Sequence, residues 1–210
     1  MVCVPSFILA GGKSSRMGAD KSALQFGGRS LLERAFEIAR AGGGVVSIVG
    51  SGEDLKQRAA ELGAPALGDL FPGQGPLAGI HSALECPSAG DLNFILAVDL
   101  PLISTRFVRY LLERARKSQA EVTVARVAGR LQTLCGAYGR SFAGRAQSAL
   151  EEGRNKIELA FAPASLDVIS ECELAAGGFA PALFLNVNTP EDFTRAEAIL
   201  QSGVPEAEIG

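Results

Sequence analysis

The chain has a single histidine, His81, and four cysteines, Cys3, Cys86, Cys135 and Cys172, which stand far apart with no Cys-x-x-Cys pair. One imidazole and dispersed thiols cannot complete the usual zinc sets, and free thiols in a reducing cytoplasm are the simpler reading. A basic excess is lacking too. The 210 residues carry a formal charge of −3 and an isoelectric point of about 5.3, so no global field draws nucleic acid and the cations that matter must be local. No run approaches the roughly 18 apolar residues of a membrane helix, because Asn93, Asp99 and Pro101 interrupt the strongest candidate. The apolar N-terminus is short and has no leading positive charge, which reads as a first strand rather than a signal peptide. Internal repeats, linkers and low-complexity segments are absent, and 47% hydrophobic content suits one substantial core. The expectation is a soluble cytoplasmic protein with no membrane or nucleic-acid partner, its single domain spanning residues 1–200 and a frayed tail spanning 201–210.

Apolar runs alternate with helical patterns, which predicts an α/β fold with a mainly parallel sheet. Phe7, Ile8 and Leu9 read as the end of a buried strand, and Ser30 to Ala41 as an amphipathic helix opened by the capping box Ser30-Leu31-Leu32-Glu33. Gly42-Gly43-Gly44 stops that helix. A β-branched strand over 45–49, a helix over 53–62 and a short strand over 66–68 follow. Asn93 to Val98 is apolar on both alternating faces, as a central parallel strand should be, and delivers Asp99 to its carboxyl edge. Ser104 caps the next helix, whose Phe107, Val108, Leu111 and Leu112 recur at helical spacing. Segments 121–127 and 134–138 read as strands turning at Gly129-Arg130, and a hairpin and a separated pair both fit. Leu183 to Val187 reads as a late strand, and Thr189-Pro190-Glu191-Asp192 opens the last helix.

The most informative segment is Leu9-Ala10-Gly11-Gly12-Lys13-Ser14-Ser15-Arg16-Met17-Gly18-Ala19-Asp20-Lys21, a glycine-rich cationic loop between strand and helix. Glycines there let backbone N–H groups approach a ligand, and Lys13, Arg16 and Lys21 supply charge suited to phosphates. It is not a Walker A loop, because the position that must be glycine is Phe7, and it is not a dinucleotide fingerprint, because Lys13 stands where the second glycine belongs. In a parallel sheet the carboxyl-end loops share one rim. The loop 11–21, the segment 69–79, Asp99-Leu100-Pro101 and Asn186-Val187-Asn188-Thr189 all fall there. An aspartate ending a central strand beside a phosphate loop is a natural Mg²⁺ ligand, since that ion takes one or two carboxylates plus phosphate oxygens and waters. Asp69 reads equally as a turn residue before Pro72. Asn186 and Asn188 can cap the last helix, hydrogen-bond a polar ligand or hold a metal-bound water. His81, in a helix after Gly79, receives no catalytic role.

These motifs in this order, the loop 9–18 with Asp20-Lys21, then Gly75-Pro76-Leu77-Ala78-Gly79-Ile80, Asp99-Leu100-Pro101 and Asn186-Val187-Asn188-Thr189-Pro190, resemble the molybdenum cofactor guanylyltransferase family, the MobA family, from about Phe7 to Leu200. The resemblance implies a Rossmann-like three-layer α/β/α sandwich of the GT-A-like nucleotidyltransferase type. It implies transfer of GMP from GTP to the terminal phosphate of molybdopterin with release of pyrophosphate, Mg²⁺ as cofactor, and molybdenum-insertion and molybdoenzyme partners. It further implies that Leu9, Ala10, Gly11, Gly12 and Lys13 line the nucleotide, that Lys21 contacts its phosphates and that Asp69 reads the nucleoside. Asp99 would hold Mg²⁺ and contact the nucleotide, while Gly79, Gln132, Asn186 and Asn188 would lie toward the acceptor. Arg16, Lys21 and Asp99 are the catalytic expectations, because both reactants are anionic and charge grows on pyrophosphate.

Two departures stand out. Relatives often carry Gln-Pro-Leu where this chain has Gln132-Thr133-Leu134, and Gly50 stands where some place a polar nucleotide contact. The alternatives are a cytidylyltransferase of the same cofactor or a sugar-phosphate nucleotidyltransferase. Cytidylyltransferases resemble Leu-Ala-Ala-Gly where this chain has Leu9-Ala10-Gly11-Gly12. A non-catalytic nucleotide-binding protein is disfavoured by Lys21 and Asp99, since binding alone requires no metal-holding rim.

Overall fold

The computed structural model describes residues 3–11 and 21–202. Its central element is β1 (Val4–Leu9), whose Ile8 enters the core on one side of the sheet while Phe7 and Leu9 enter the core on the other. A strand apolar on both faces must be covered on both, which places it inside a parallel sheet. After it come a small hairpin of β2 (Gln25–Phe26) and β3 (Arg29–Ser30), then α1 (Leu31–Ala39), β4 (Gly43–Val49), α2 (Glu53–Glu61), β5 (Ala66–Leu67), α3 (Pro76–Glu85) and β6 (Leu92–Ala97). The second half adds α4 (Thr105–Ser118), β7 (Val122–Val127), β8 (Arg130–Gly139), α5 (Phe142–Glu151), β9 (Leu166–Ile169), α6 (Glu171–Ala176) and α7 (Pro190–Gln201).

Among the described residues seven strands form one sheet in the order β5-β4-β1-β6-β8-β7-β9. Parallel pairs join β1 to β4 and β6, β4 to β5, and β7 to β9, whereas β8 runs antiparallel to β6 and β7. The sheet is therefore mostly parallel, and helices cover both faces. One apolar core gathers Leu31 of α1, Leu55 of α2, Phe107 of α4 and Ala196 of α7, and the other gathers Leu77 of α3 and Phe142 of α5. The chain leaves β1 toward β4 and β5, then returns to β6 on the opposite side of β1. That reversal opens a crevice beyond the carboxyl ends of β1 and β6, where α/β sheets bind ligands. Among the described residues no helix is long and apolar enough to cross a membrane.

Several local expectations hold in detail. The Ser30–Glu33 capping box forms, Ser104 accepts from the Phe107 N–H, and Thr189 with Asp192 caps α7. The segments around residues 121–138 form a hairpin, turning through Ala128 and Gly129 at positive φ. The first helix ends at Ala39, two residues before the expected stop, and tightens into a 3₁₀ turn at Arg40–Gly42. Strand β4 then begins at Gly43 rather than Val45. Gly44 is required there by proximity, because a Cβ would lie 2.5 Å from the carbonyl of Val4.

The late strand expected at Leu183 to Val187 does not form. Pro181–Phe184 is a 3₁₀ turn, and Leu183 and Phe184 fill the core instead, with Phe184 edge-on to Phe107 at 5.0 Å. A single backbone bond, Val187 N–H to the Asp99 carbonyl at 2.9 Å, is what this segment gives the sheet edge. A strand that sequence reasoning missed, β9, pairs with β7 at the outer edge of the sheet. The hairpin of β2 and β3 was missed as well, although Gly27-Gly28 at positive φ is a recognised two-residue hairpin signal. The expected tail over 201–210 lies largely outside the described residues.

Candidate functional site

At the β1/β6 switch a cleft of about 240 Å³ opens at the carboxyl rim of the sheet. Its floor is strand-end backbone: Leu9, Ala10 and Gly11 leaving β1, Val49 leaving β4, and Ala97 and Val98 leaving β6. Ladder-like bonds from Ala10 N–H to the Val49 carbonyl (2.9 Å) and from Val98 N–H to the Leu9 carbonyl (3.1 Å) carry the register past the strand ends and fix that floor. Gly11 and Gly50 pack backbone to backbone. A Cβ on Gly11 would lie 3.3 Å from Gly50 Cα, and one on Gly50 would lie 2.6 Å from Leu55 Cδ2 and 3.0 Å from Gly11 N. Gly50 therefore has a packing reason to lack a side chain.

Two carboxylates face this floor. Asp99 follows β6, and its Oδ2 lies 3.3 Å from Nζ of Lys21, while its Oδ1 is buried with no hydrogen-bond partner among the described residues. Asp69 follows β5, is half-buried, and makes no hydrogen bond or ion pair among the described residues. Loss of water pushes its carboxyl above the usual carboxylate range. Lys21 enters from the 3₁₀ turn Lys21–Ala23 and also donates to Asn188 Oδ1 at 2.6 Å. Asn188 is itself held, because its N–H and that of Thr189 both donate to the Asp192 carboxylate (3.1 and 3.0 Å), which keeps the Asp192 carboxyl below its usual range. Gly75 and Pro76, at the N-terminus of α3, form a further wall, and Gly75 offers that helix end no side-chain cap. Uncapped N–H groups and the positive end of the helix dipole suit an anion there.

The arrangement brings together Leu9, Ala10, Gly11, Lys21, Asp69, Gly79 and Asp99, with Asn188 joined through Lys21. Gly79 sits at the Asp69 end: a Cβ there would lie 3.2 Å from Leu9 Cδ2 and 3.8 Å from Asp69 Oδ1. Gln132 and Asn186 do not line the cleft. The Gln132 amide donates to the Arg130 carbonyl at 3.3 Å, and Asn186 is exposed. Leu134 does line it, from a stretch of β8 where the pairing with β7 slips between Val124 and Arg126. An interrupted ladder also tolerates a proline at position 133, so Thr133 is not required there by strand pairing. Gly12, Lys13 and Arg16 lie outside the described residues. His81 is buried in α3, and its ring packs edge-on to Phe71 at 5.2 Å.

No group of three His, Cys, Asp or Glu side chains among the described residues could hold a metal ion. The bare, buried Oδ1 of Asp99 fits a different demand, that of an ion which takes one carboxylate from the protein and the rest from phosphate oxygens and water. The cleft can thus seat a polar, phosphorylated ligand between a glycine floor, a lysine and a carboxylate.

Comparison with known proteins agrees. Residues 6–164 match the family described as MobA-like NTP transferase domain. A protein of Carboxydothermus hydrogenoformans named "Probable molybdenum cofactor guanylyltransferase" is 34% identical over 188 residues, covering 90% of this chain and 92% of its own length. A Rhizobium meliloti protein named "Molybdenum cofactor guanylyltransferase" is 34% identical over 208 residues, with coverage of 93% and 91%. Molybdopterin-guanine dinucleotide biosynthesis protein A from Archaeoglobus fulgidus has the same fold, with a TM-score of 0.81 at 24% identity over 95% of this chain and all of that one.

Proposed function

The chain belongs to the MobA-like NTP transferase family, and from that premise we propose that it transfers GMP from GTP to the terminal phosphate of molybdopterin, forming the guanine dinucleotide cofactor and pyrophosphate. One observation carries the reading: a lysine and a half-bare carboxylate 3.3 Å apart at the β1/β6 switch, in a chain one-third identical to proteins of that name along nine-tenths of its length. Residues 1–200 act as one catalytic domain, and a cytoplasmic location belongs to the same reading.

In this reading the guanine nucleotide lies on the Leu9, Ala10 and Gly11 backbone with Asp69 reading its nucleoside. Lys21 and the N-terminus of α3 hold its phosphates, and Lys13 and Arg16 add charge from the preceding loop. A phosphate oxygen of molybdopterin attacks the α-phosphorus, the bond to the β-phosphate oxygen breaks, and pyrophosphate leaves with the electron pair. No protein nucleophile is needed, so the residues contribute positioning and charge. Asp99 would hold Mg²⁺ through Oδ1, and the ion when bound would offset the repulsion between the two anionic reactants. Lys21 offsets the charge that grows on the leaving group, and Asn188 keeps its ammonium over the cleft. The pterin lies toward the Asn186-to-Asn188 edge and the Gln132 segment.

Base choice is the sharpest test. A site built to hydrogen-bond guanine leaves buried polar groups unpaired when cytosine binds, so GTP should be preferred over CTP by roughly a hundredfold or more. Competition between the two nucleotides in transfer to molybdopterin, with products identified by mass, reads this directly. Equal use, or a preference for CTP, would overturn the guanylyl reading and leave the nucleotidyl class standing.

A further inference from the structure

Among the described residues the Asp69 side chain makes no hydrogen bond in the cleft, so the backbone on either side positions it. Upstream, the Leu67 carbonyl accepts from Gly50 N–H at 2.9 Å. Downstream, the N–H of Leu70 donates to Oγ of Ser82 at 2.9 Å, and the Ser82 hydroxyl in turn donates to the Ala78 carbonyl at 2.8 Å. The hydroxyl's single hydrogen is thereby committed along α3, which leaves its lone pair aimed at the Leu70 amide. Ser82 is buried, whereas Leu70 is 60% exposed, and the hydroxyl grips its main chain. One residue further on, Phe71 rests its ring edge-on against His81. Two successive residues of α3 therefore tie down two successive residues of the loop that carries Asp69. The same helix walls the cleft at Pro76 and Gly79.

We infer that Ser82 is a positioning residue for nucleotide recognition: by holding the Leu70 amide it fixes the Asp69 carboxylate between Gly11 and Gly79. The inference rests on the reading of Asp69 as the nucleoside contact. Ser82→Ala removes the acceptor and keeps the helix. Loss of one neutral hydrogen bond should weaken GTP binding about three- to tenfold, raising KM with kcat held within about twofold, because the phosphate groups are held elsewhere. In an Asp69→Ala background the same substitution should change affinity by less than about twofold, since the residue it positions is gone. An equal loss in both backgrounds would overturn the inference. If Asp69→Ala weakens GTP binding and Ser82→Ala does not, the inference falls while the reading of Asp69 stands. If Asp69→Ala leaves binding unchanged, both fall. The unaltered protein supplies a further check by amide hydrogen exchange: the Leu70 N–H should be protected in the free enzyme, and exchange at the rate of an open loop would contradict the bond.

Discussion

Asp167 lies within the sheet and Asp99 just past the end of one of its strands, and their surroundings are opposite. Asp167, in the edge strand β9, receives Nε and Nη2 of Arg114 at 2.8 and 2.9 Å, so both carboxylate oxygens are paired. The same guanidinium reaches Glu173 of α6 at 2.9 Å, and these carboxylates raise the Arg114 pKa well above the usual arginine value. Asp99, beyond the central strand β6, has one oxygen 3.3 Å from Lys21 and the other buried with no partner among the described residues. A carboxylate that serves the fold is satisfied in full. One kept partly unsatisfied in a cleft lowers stability and marks a candidate ligand site. Asp69, half-buried and unpaired, belongs with Asp99.

Removing charge from each region separates the two. Lys21→Ala should lower the rate of pyrophosphate release about tenfold or more, in keeping with loss of one preorganised charge, with the thermal midpoint little changed. Activity at the level of the unaltered enzyme would move Lys21 out of the site. Arg114→Ala should do the reverse. It should cost about 1 kcal/mol of stability, a modest figure because the guanidinium is partly exposed and screened, with KM and kcat unaffected. A loss of turnover there would break the distinction between the regions. The smallest effect concerns His81. Burial holds its imidazole pKa below the ordinary 6.5, with Glu85 and Glu151 opposing that shift. The folded state thus takes up a proton less readily than the unfolded chain, so stability falls as pH drops through about 6.5 and the fall levels off below the folded-state pKa. His81→Leu should flatten this part of a thermal-midpoint profile by less than about 1 kcal/mol. An identical slope in the variant would assign the dependence to other groups.

Much of this was legible in sequence because it rests on local rules. Caps at Ser30, Ser104 and Thr189 declare themselves through residue types one helical turn apart, and the segment around Phe94 to Leu96 is too apolar to be anything but a central strand. The cleft residues were legible as loops because topology alone sends strand-end loops to one rim. What failed was decided by packing. Leu183 and Phe184 are as apolar as a strand requires, but Pro181 opens a turn and Phe107 supplies the partner. Strand β9 is only four residues long, and the acid that Arg114 pairs interrupts its apolar run. Ser82 has no local signature at all, since its meaning comes from a loop that folds back from Leu70.

The central claim is that Asp99 is left half-bare to hold a divalent ion with the nucleotide, and calorimetry tests it most directly. GTP is titrated into the unaltered protein and into Asp99→Asn, each with and without Mg²⁺. The unaltered protein should bind GTP about tenfold or more tightly with Mg²⁺, and Asp99→Asn should lose that increment, because it keeps the shape of the side chain and removes the charge that would hold the ion. The same Mg²⁺ increment in both proteins would contradict the account.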